Sequence, residues 1–226
     1  MLLDTDLVID GSKIELVNKT KFLGVIIDPH LTFNSHIQYI KGKISRGVGI
    51  LNKCKRYLSV STLVTLYYSF LYPYLNYCNC IWGNTCRSYL EPLIKLQKRA
   101  VRIISSAHRR AHTEPLFTNL RILTIPKLFV YCVQLFMFKI HHGMVPPIFR
   151  NFFAYNHTIH SHMTRQSNQL HTFGASTTQR LRTVRSVGVS IFNHFDGILN
   201  MDCLFMTYKY HLKQYLIDND VSGLAT

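Results

Sequence analysis

The chain has 226 residues, 47% of them apolar, with 26 Lys+Arg against 11 Asp+Glu and a formal charge of +15. That apolar content supplies one large or two small cores and excludes a disordered tail. The charge imbalance points to a polyanionic partner, most simply nucleic acid, and the six cysteines lack the dense, regular spacing of a secreted disulfide scaffold.

The opening MLLDTDLVID has no basic n-region and no long apolar run, so no signal peptide is expected. Residues 2–28 read as extended. Leu7-Val8-Ile9 precedes an Asp10-Gly11 hairpin turn, Ile14 to Val17 follows, and a third β-rich run from Phe22 to Ile27 is closed by Asp28-Pro29. Three short strands are marginal alone, so part of their sheet is expected outside this chain. After Pro29 the period becomes helical. Asn34 or Ser35 caps a helix with Ile37, Ile40, Ile44, Val48 and Leu51 on its apolar face and Lys43, Arg46 and Lys53 off it. Gly42, Gly47 and Gly49 weaken its second half. Leu58-Ser59 opens a segment with Val60, Leu63, Val64, Tyr67, Phe70 and Leu71 on a wide apolar face, which Pro73 kinks or ends. An aromatic-dense stretch, Tyr72 to Tyr77, leads to a turn at Ile81-Trp82-Gly83-Asn84.

The most informative stretch is Leu90 to Ile104. Leu90, Leu93, Ile94, Gln97, Ala100, Val101 and Ile104 recur at helical spacing on one face, and Lys95, Lys98, Arg99 and Arg102 share the other. Pro92 is expected in the first turn. Residues 41–110 hold thirteen basic residues and one acid, Glu91, and no Asp or Glu lies between Asp28 and Glu91. His108 to Ala111 reads as a basic loop, Glu114 to Leu123 as a short helix, and Lys127 to His141, started by Pro126, as a buried helix apolar on nearly every side. The apolar run Leu128 to Phe138 is too short to span a bilayer. Gly143, Pro146 and Pro147 suggest a boundary. Residues 151–180 are polar and unpatterned, hence loop or extended structure, and a last helix spans Asp202 to Leu216 with Leu204, Phe205, Tyr208, Leu212 and Tyr215 on one side.

The fold class is therefore mainly α: a helical bundle over 31–145, a small β-hairpin or sheet element over 1–30, and a loop-rich region with a terminal helix over 146–226. The cationic stripe is either a solvated face or a phosphate-binding surface, and the local charge puts the two at even odds. The aromatic residues Tyr67, Tyr68, Phe70, Tyr72, Tyr74, Tyr77 and Trp82 fit core packing better than base stacking. Cys78-x-Cys80 is one residue short of a zinc-ligand spacing, and His108-x-x-x-His112 stands without a strong partner, so no metal site is assigned. His141, His142, His157, His160, His162 and His171 read as residues of a flexible polar stretch. Neither a Gly-x-Ser-x-Gly nor a phosphate-cradling glycine loop occurs. An intracellular, reduced protein is the better reading. Membrane-surface binding ranks lower, because the apolar residues are shared among segments that pack together.

KFLGVIIDPHLTFNSHI (21–37), YSFLYPYLNYCNCIWGN (68–84) and LIKLQKRAVRII (93–104), in this order, resemble the C-terminal half of non-LTR, LINE-type, jockey-like retrotransposon reverse transcriptases. TRQ (164–166), RLRTVRSVGVSIFN (180–193) and YKYHLKQYLI (208–217) extend the resemblance over nearly the whole chain. It implies that Phe22, Leu23 and Gly24 belong to a primer-grip element and that the following helices form a thumb. Lys95, Lys98, Arg99 and Arg102, with Lys43 and Arg46, would then contact an RNA/DNA template–primer duplex, with a separate palm as a further partner.

Two departures stand out. The family's Leu-Trp-Asn and later Leu-Pro are replaced by Ile191-Phe192-Asn193 and His194-Phe195-Asp196, which puts the local loop geometry in question. Polymerisation needs paired carboxylates holding two divalent metals, Mg in the parent family, and this sequence has no Asp-Asp; Asp4, Asp6, Asp218 and Asp220 lack the setting. No catalytic residue and no cofactor are assigned. The expectation is a non-catalytic piece of the polymerase that holds nucleic acid. The alternatives are a basic all-α protein-interaction module and a decayed transposon remnant.

Overall fold

The computed structural model describes residues 8–159, 165–172, 174 and 176–225. Leu7 of the first expected strand, Asp4, Asp6, His160, His162 and Thr164 lie outside the described residues.

The N-terminal element is two separate antiparallel hairpins, not three strands of one sheet. β1 (Val8–Ile9) pairs with β2 (Ser12–Lys13) across Asp10-Gly11, both at positive φ. Ile14 to Val17 lies outside either ladder. β3 (Thr20–Phe22) pairs with β4 (Val25–Ile27), with Phe22 opposite Val25. The expected single run from Phe22 to Ile27 is thus broken at Leu23-Gly24, where φ is 44° and 84°. Two successive positive φ values make the tight, twist-matched hairpin turn.

Helix α1 (Asn34–Cys54) starts earlier than a cap at Asn34 or Ser35 would place it, with Phe33 at φ 56° in the cap position. Asp28 shapes its entry. One carboxylate oxygen accepts from the Thr32 N–H at 2.9 Å and the other from the Phe33 N–H at 2.8 Å. The helix continues through its three glycines. At Gly47 a Cβ would come 2.7 Å from Leu71, so the missing side chain admits the neighbouring helix. α2 (Val60–Phe70) is capped by Ser59, whose hydroxyl accepts from the Thr62 N–H. Pro73 falls in the first turn of α3 (Tyr72–Asn76), and α4 (Asn79–Trp82) buries Trp82, whose indole donates to the Tyr77 carbonyl at 2.9 Å.

α5 (Arg87–Ile104) begins three residues before Leu90, so Pro92 sits inside the helix instead of in its first turn. α6 (Glu114–Asn119) is followed by α7 (Ile125–His141), buried along most of its length as its all-round apolar pattern predicts. α1 and α5 share the most extensive helix–helix contact, with α2 against both.

The region after 146 carries short helical elements besides loop. Residues 147–152 form a 3-10 turn, α8 is Asn156–Ile159, and α9 is Thr178–Leu181. Tyr155 bridges Leu170, and the Asn193 amide grips both the N–H and the C=O of Leu170, at 2.9 and 2.8 Å. His157 makes a hydrogen bond to the Ser167 carbonyl and His171 one to the Asn156 side chain, each at 3.0 Å. α10 (Val184–Phe195) was not expected. It buries Val189, Ile191, Phe192 and Phe195 against α7, so the departure at Ile191-Phe192-Asn193 lies in a helix and not in a loop. α11 (Phe205–Asp218) closes the fold on α7. It starts later than Asp202, and Leu204 is left 79% exposed. The hydrophobic core is contiguous among the described residues, running from Val25 to Val221. The fold is mainly α with small N-terminal hairpins.

Candidate nucleic-acid interface

The buried face of α5 is Leu90, Leu93, Gln97, Ala100, Val101, Ile103 and Ile104. It matches the sequence pattern, except that Ile103 is also buried and Ile94 is half-buried. The polar member, Gln97, is fully used. Its amide nitrogen donates to the Tyr67 hydroxyl and to the Leu123 carbonyl, both at 2.9 Å, and its oxygen accepts from the Ile125 N–H at 3.1 Å. One side chain therefore ties α5 to α2 and to the start of α7, fixing which face α5 turns outward.

That outward face carries the cations. Lys98 and Arg99 are exposed. The Lys95 side chain is 73% exposed and lies 3.7 Å from Glu91, one turn earlier. A surface pair of this kind contributes about 0–1 kcal/mol and competes weakly with a phosphate. Arg102 is different. It is half-buried, and its Nε donates to the Ala111 carbonyl at 3.0 Å, closing the loop after α5. Arg102→Ala should lower the unfolding free energy by about 1 kcal/mol, the worth of a typical hydrogen bond. Denaturant titration checks this, and an unchanged midpoint would show the loop to be held by other means.

On α1, Lys43 is half-buried with Nζ 5.5 Å from the centre of the Tyr39 ring, and Lys21 of β3 stands 5.7 Å from the same ring. Tyr39 and Lys21 were not singled out in the sequence, although Tyr39-x-x-x-Lys43 is an i,i+4 pair. Arg46 is exposed, and its Nε reaches only its own helix, at Gly42. The structure thus assembles two cationic groups, Lys95/Lys98/Arg99 on α5 and Lys21/Lys43 around Tyr39.

The primer-grip candidates occupy the second hairpin. Phe22 ends β3 and is 63% exposed, and Leu23, 73% exposed, starts the turn. The Leu23 carbonyl accepts the Tyr77 hydroxyl at 2.6 Å, and a Cβ on Gly24 would touch the Tyr77 ring at 3.4 Å. The aromatic cluster divides. Tyr67 and Trp82 are core, Tyr68 and Tyr72 are half-buried, and Phe70, Tyr74 and Tyr77 are exposed. Burial pushes the Tyr72 hydroxyl up to about 12. Among the described residues no three His, Cys, Asp or Glu side chains gather where they could hold a metal ion, and no helix is long and apolar enough to cross a membrane.

With this geometry in place, comparison with known proteins shows what about half of the chain is similar to. The chain is 29% identical over 112 residues to a probable RNA-directed DNA polymerase from transposon X-element of Drosophila melanogaster, covering 48% of this chain and 12% of that protein. RNA-directed DNA polymerases from the mobile element jockey match at 28% over 117 residues in Drosophila funebris and 32% over 112 residues in D. melanogaster. About half of this chain is homologous to jockey-like reverse transcriptases. The two jockey matches cover 50% and 48% of the chain, and the matched region spans only 12–13% of each relative's length. No family model and no solved structure matches the chain. The jockey-like resemblance is thereby upheld over about half of the sequence, less than the near-complete extent read from its motifs.

Proposed function

We propose that this chain holds template–primer nucleic acid for a jockey-like reverse transcriptase through the basic outer face of α5. The observation that carries the reading is the exposed row Lys95, Lys98 and Arg99 on a helix whose rotation is fixed by the buried Gln97 network. Positive charge without a base-reading element suits phosphates, which position a duplex regardless of sequence. The homology to RNA-directed DNA polymerases makes a template–primer the natural polyanion. In this reading residues 31–145 act as a thumb, and the hairpin carrying Phe22, Leu23 and Gly24 lies near the primer terminus. Lys43 and Arg46 add charge on the neighbouring helix.

The chemistry itself belongs to a palm with metal-binding aspartates. Val8, Ile9, Leu16, Phe22 and Leu23 are exposed on and beside the hairpins, and apolar surface of this kind suits a protein neighbour such as that palm. The compartment in this reading is intracellular.

A filter-binding panel tests the proposal: RNA–DNA hybrid, DNA duplex and single strand, with an acidic protein as competitor. Retention of the nucleic acids with dissociation constants on the order of micromolar, unaffected by the acidic protein, is the expected result. Preferential capture of the acidic protein would instead favour a protein-interaction module.

A further inference from the structure

Helix α1 passes to α2 through a turn, residues 55–59, whose backbone is held at both ends. The Lys55 N–H donates to the Leu51 carbonyl at 3.0 Å, and the Cys54 carbonyl accepts from the N–H groups of both Tyr57 and Leu58, at 2.9 and 3.1 Å. Ser59 then caps α2. The side chains of the turn are thus presented from a fixed frame.

Their chemistry is uniform. Lys53 in the last turn of α1, and Lys55 and Arg56 after it, are exposed. Among the described residues none of the three side chains meets an ion-pair or hydrogen-bond partner. Next to them stands Tyr57, 85% exposed, the most exposed large apolar side chain among the described residues, with Leu58 and Val60 exposed beside it. The negative end of the α1 dipole favours a cation at this place. It does not explain a ring left in water beside three cations, because exposed apolar surface is unfavourable and three such neighbours form a patch. An aromatic ring among unpaired cations is the combination that holds single strands. Every base has a π-face to lay on the ring, and the backbone phosphates follow the charge. A duplex keeps its bases stacked on one another and offers only its phosphates.

We propose that the α1–α2 turn binds single-stranded nucleic acid, one base lying on the Tyr57 ring and the adjoining phosphates on Lys53, Lys55 and Arg56. The turn and the outer face of α5 are different elements, so this site does not rest on the duplex grip proposed above. Together they suit a nucleic acid that is partly paired and partly single-stranded.

Fluorescence anisotropy of a labelled oligonucleotide with the full chain tests the site, circular dichroism confirming equal helicity of each variant. Tyr57→Ala should weaken single-strand binding about tenfold, the loss of one base–aromatic stack, and Tyr57→Phe by less than about twofold. Duplex affinity should not change in either. A second measurement needs no variant: an abasic strand of equal length keeps the phosphates, lacks the stacking partner and should bind the native chain about tenfold more weakly. Lys53→Ala/Lys55→Ala/Arg56→Ala should lower the salt slope of single-strand binding by roughly two, at roughly 0.7 per phosphate contact. Equal affinity of the native and Tyr57→Ala chains for the intact strand, or an equal loss on strand and duplex, would overturn the proposal. So would sedimentation with phosphatidylserine vesicles that Tyr57→Ala abolishes while strand binding stays unchanged, which would make the turn a membrane contact. If the strand binds and depends on Tyr57 while duplex fails to bind the native chain, this site stands and the function proposed above falls.

Discussion

Gln97→Leu should lower the unfolding free energy by about 3 kcal/mol or more, although leucine nearly conserves volume. The loss comes from what the glutamine leaves behind. The Ile125 N–H, the Leu123 carbonyl and the Tyr67 hydroxyl all meet Gln97 in the interior. Each buried group left unpartnered costs about 1–3 kcal/mol, and leucine answers none of them. Tyr67→Phe removes one partner and leaves the two backbone contacts to Gln97, so it should cost only about 1 kcal/mol. Equilibrium denaturation of the two variants separates the cases. Equal, small losses would mean that α5 is held by apolar packing alone. Because Gln97 joins α5 to the segment leading into α7, its loss should also weaken nucleic-acid binding without removing any charge.

The helical part of the fold was legible wherever apolar spacing was clean. α5 and α7 follow their patterns closely, and α1 shows why propensity is a weak guide. Three glycines argue against its second half, yet Gly47 is where Leu71 of the next segment packs, and tertiary contact outweighs the local cost. α10 was missed because Arg180, Arg182 and Arg185 with Gly188 draw attention to charge and flexibility. Its signal was present: Thr183 followed by Val184, Val187, Ile191, Phe192 and Phe195 at helical spacing. The hairpin turn at Leu23-Gly24 was hidden because leucine is not a residue that favours positive φ. The Asn193 clamp on Leu170 joins a side chain to backbone 23 residues away, which no local pattern reveals.

The candidate site was partly legible. Charge and period place Lys95, Lys98 and Arg99 on the outer face of α5, where the structure has them. They did not reveal that Arg102 is engaged with Ala111, since that bond spans a loop whose path the sequence does not encode locally. Nor did they find Lys21 beside Tyr39, which depends on how the second hairpin folds over α1. The Gln179 amide reaching the His30 carbonyl, 149 residues away, is hidden for the same reason.

The second large effect concerns salt. Each phosphate contact releases condensed counterion and contributes roughly 0.9 to the log–log slope of affinity against salt concentration. Lys95, Lys98 and Arg99 together should therefore account for a slope of roughly 2.7, and Arg102, turned to Ala111, for little. The most direct measurement is the salt dependence of RNA–DNA hybrid binding by the full chain and by its Lys95→Ala/Lys98→Ala/Arg99→Ala variant, with circular dichroism confirming equal helicity. Weaker binding with a slope lower by roughly two to three is the result that a phosphate grip on α5 requires. An unchanged slope in a folded variant would show that the duplex is held elsewhere, or not held at all.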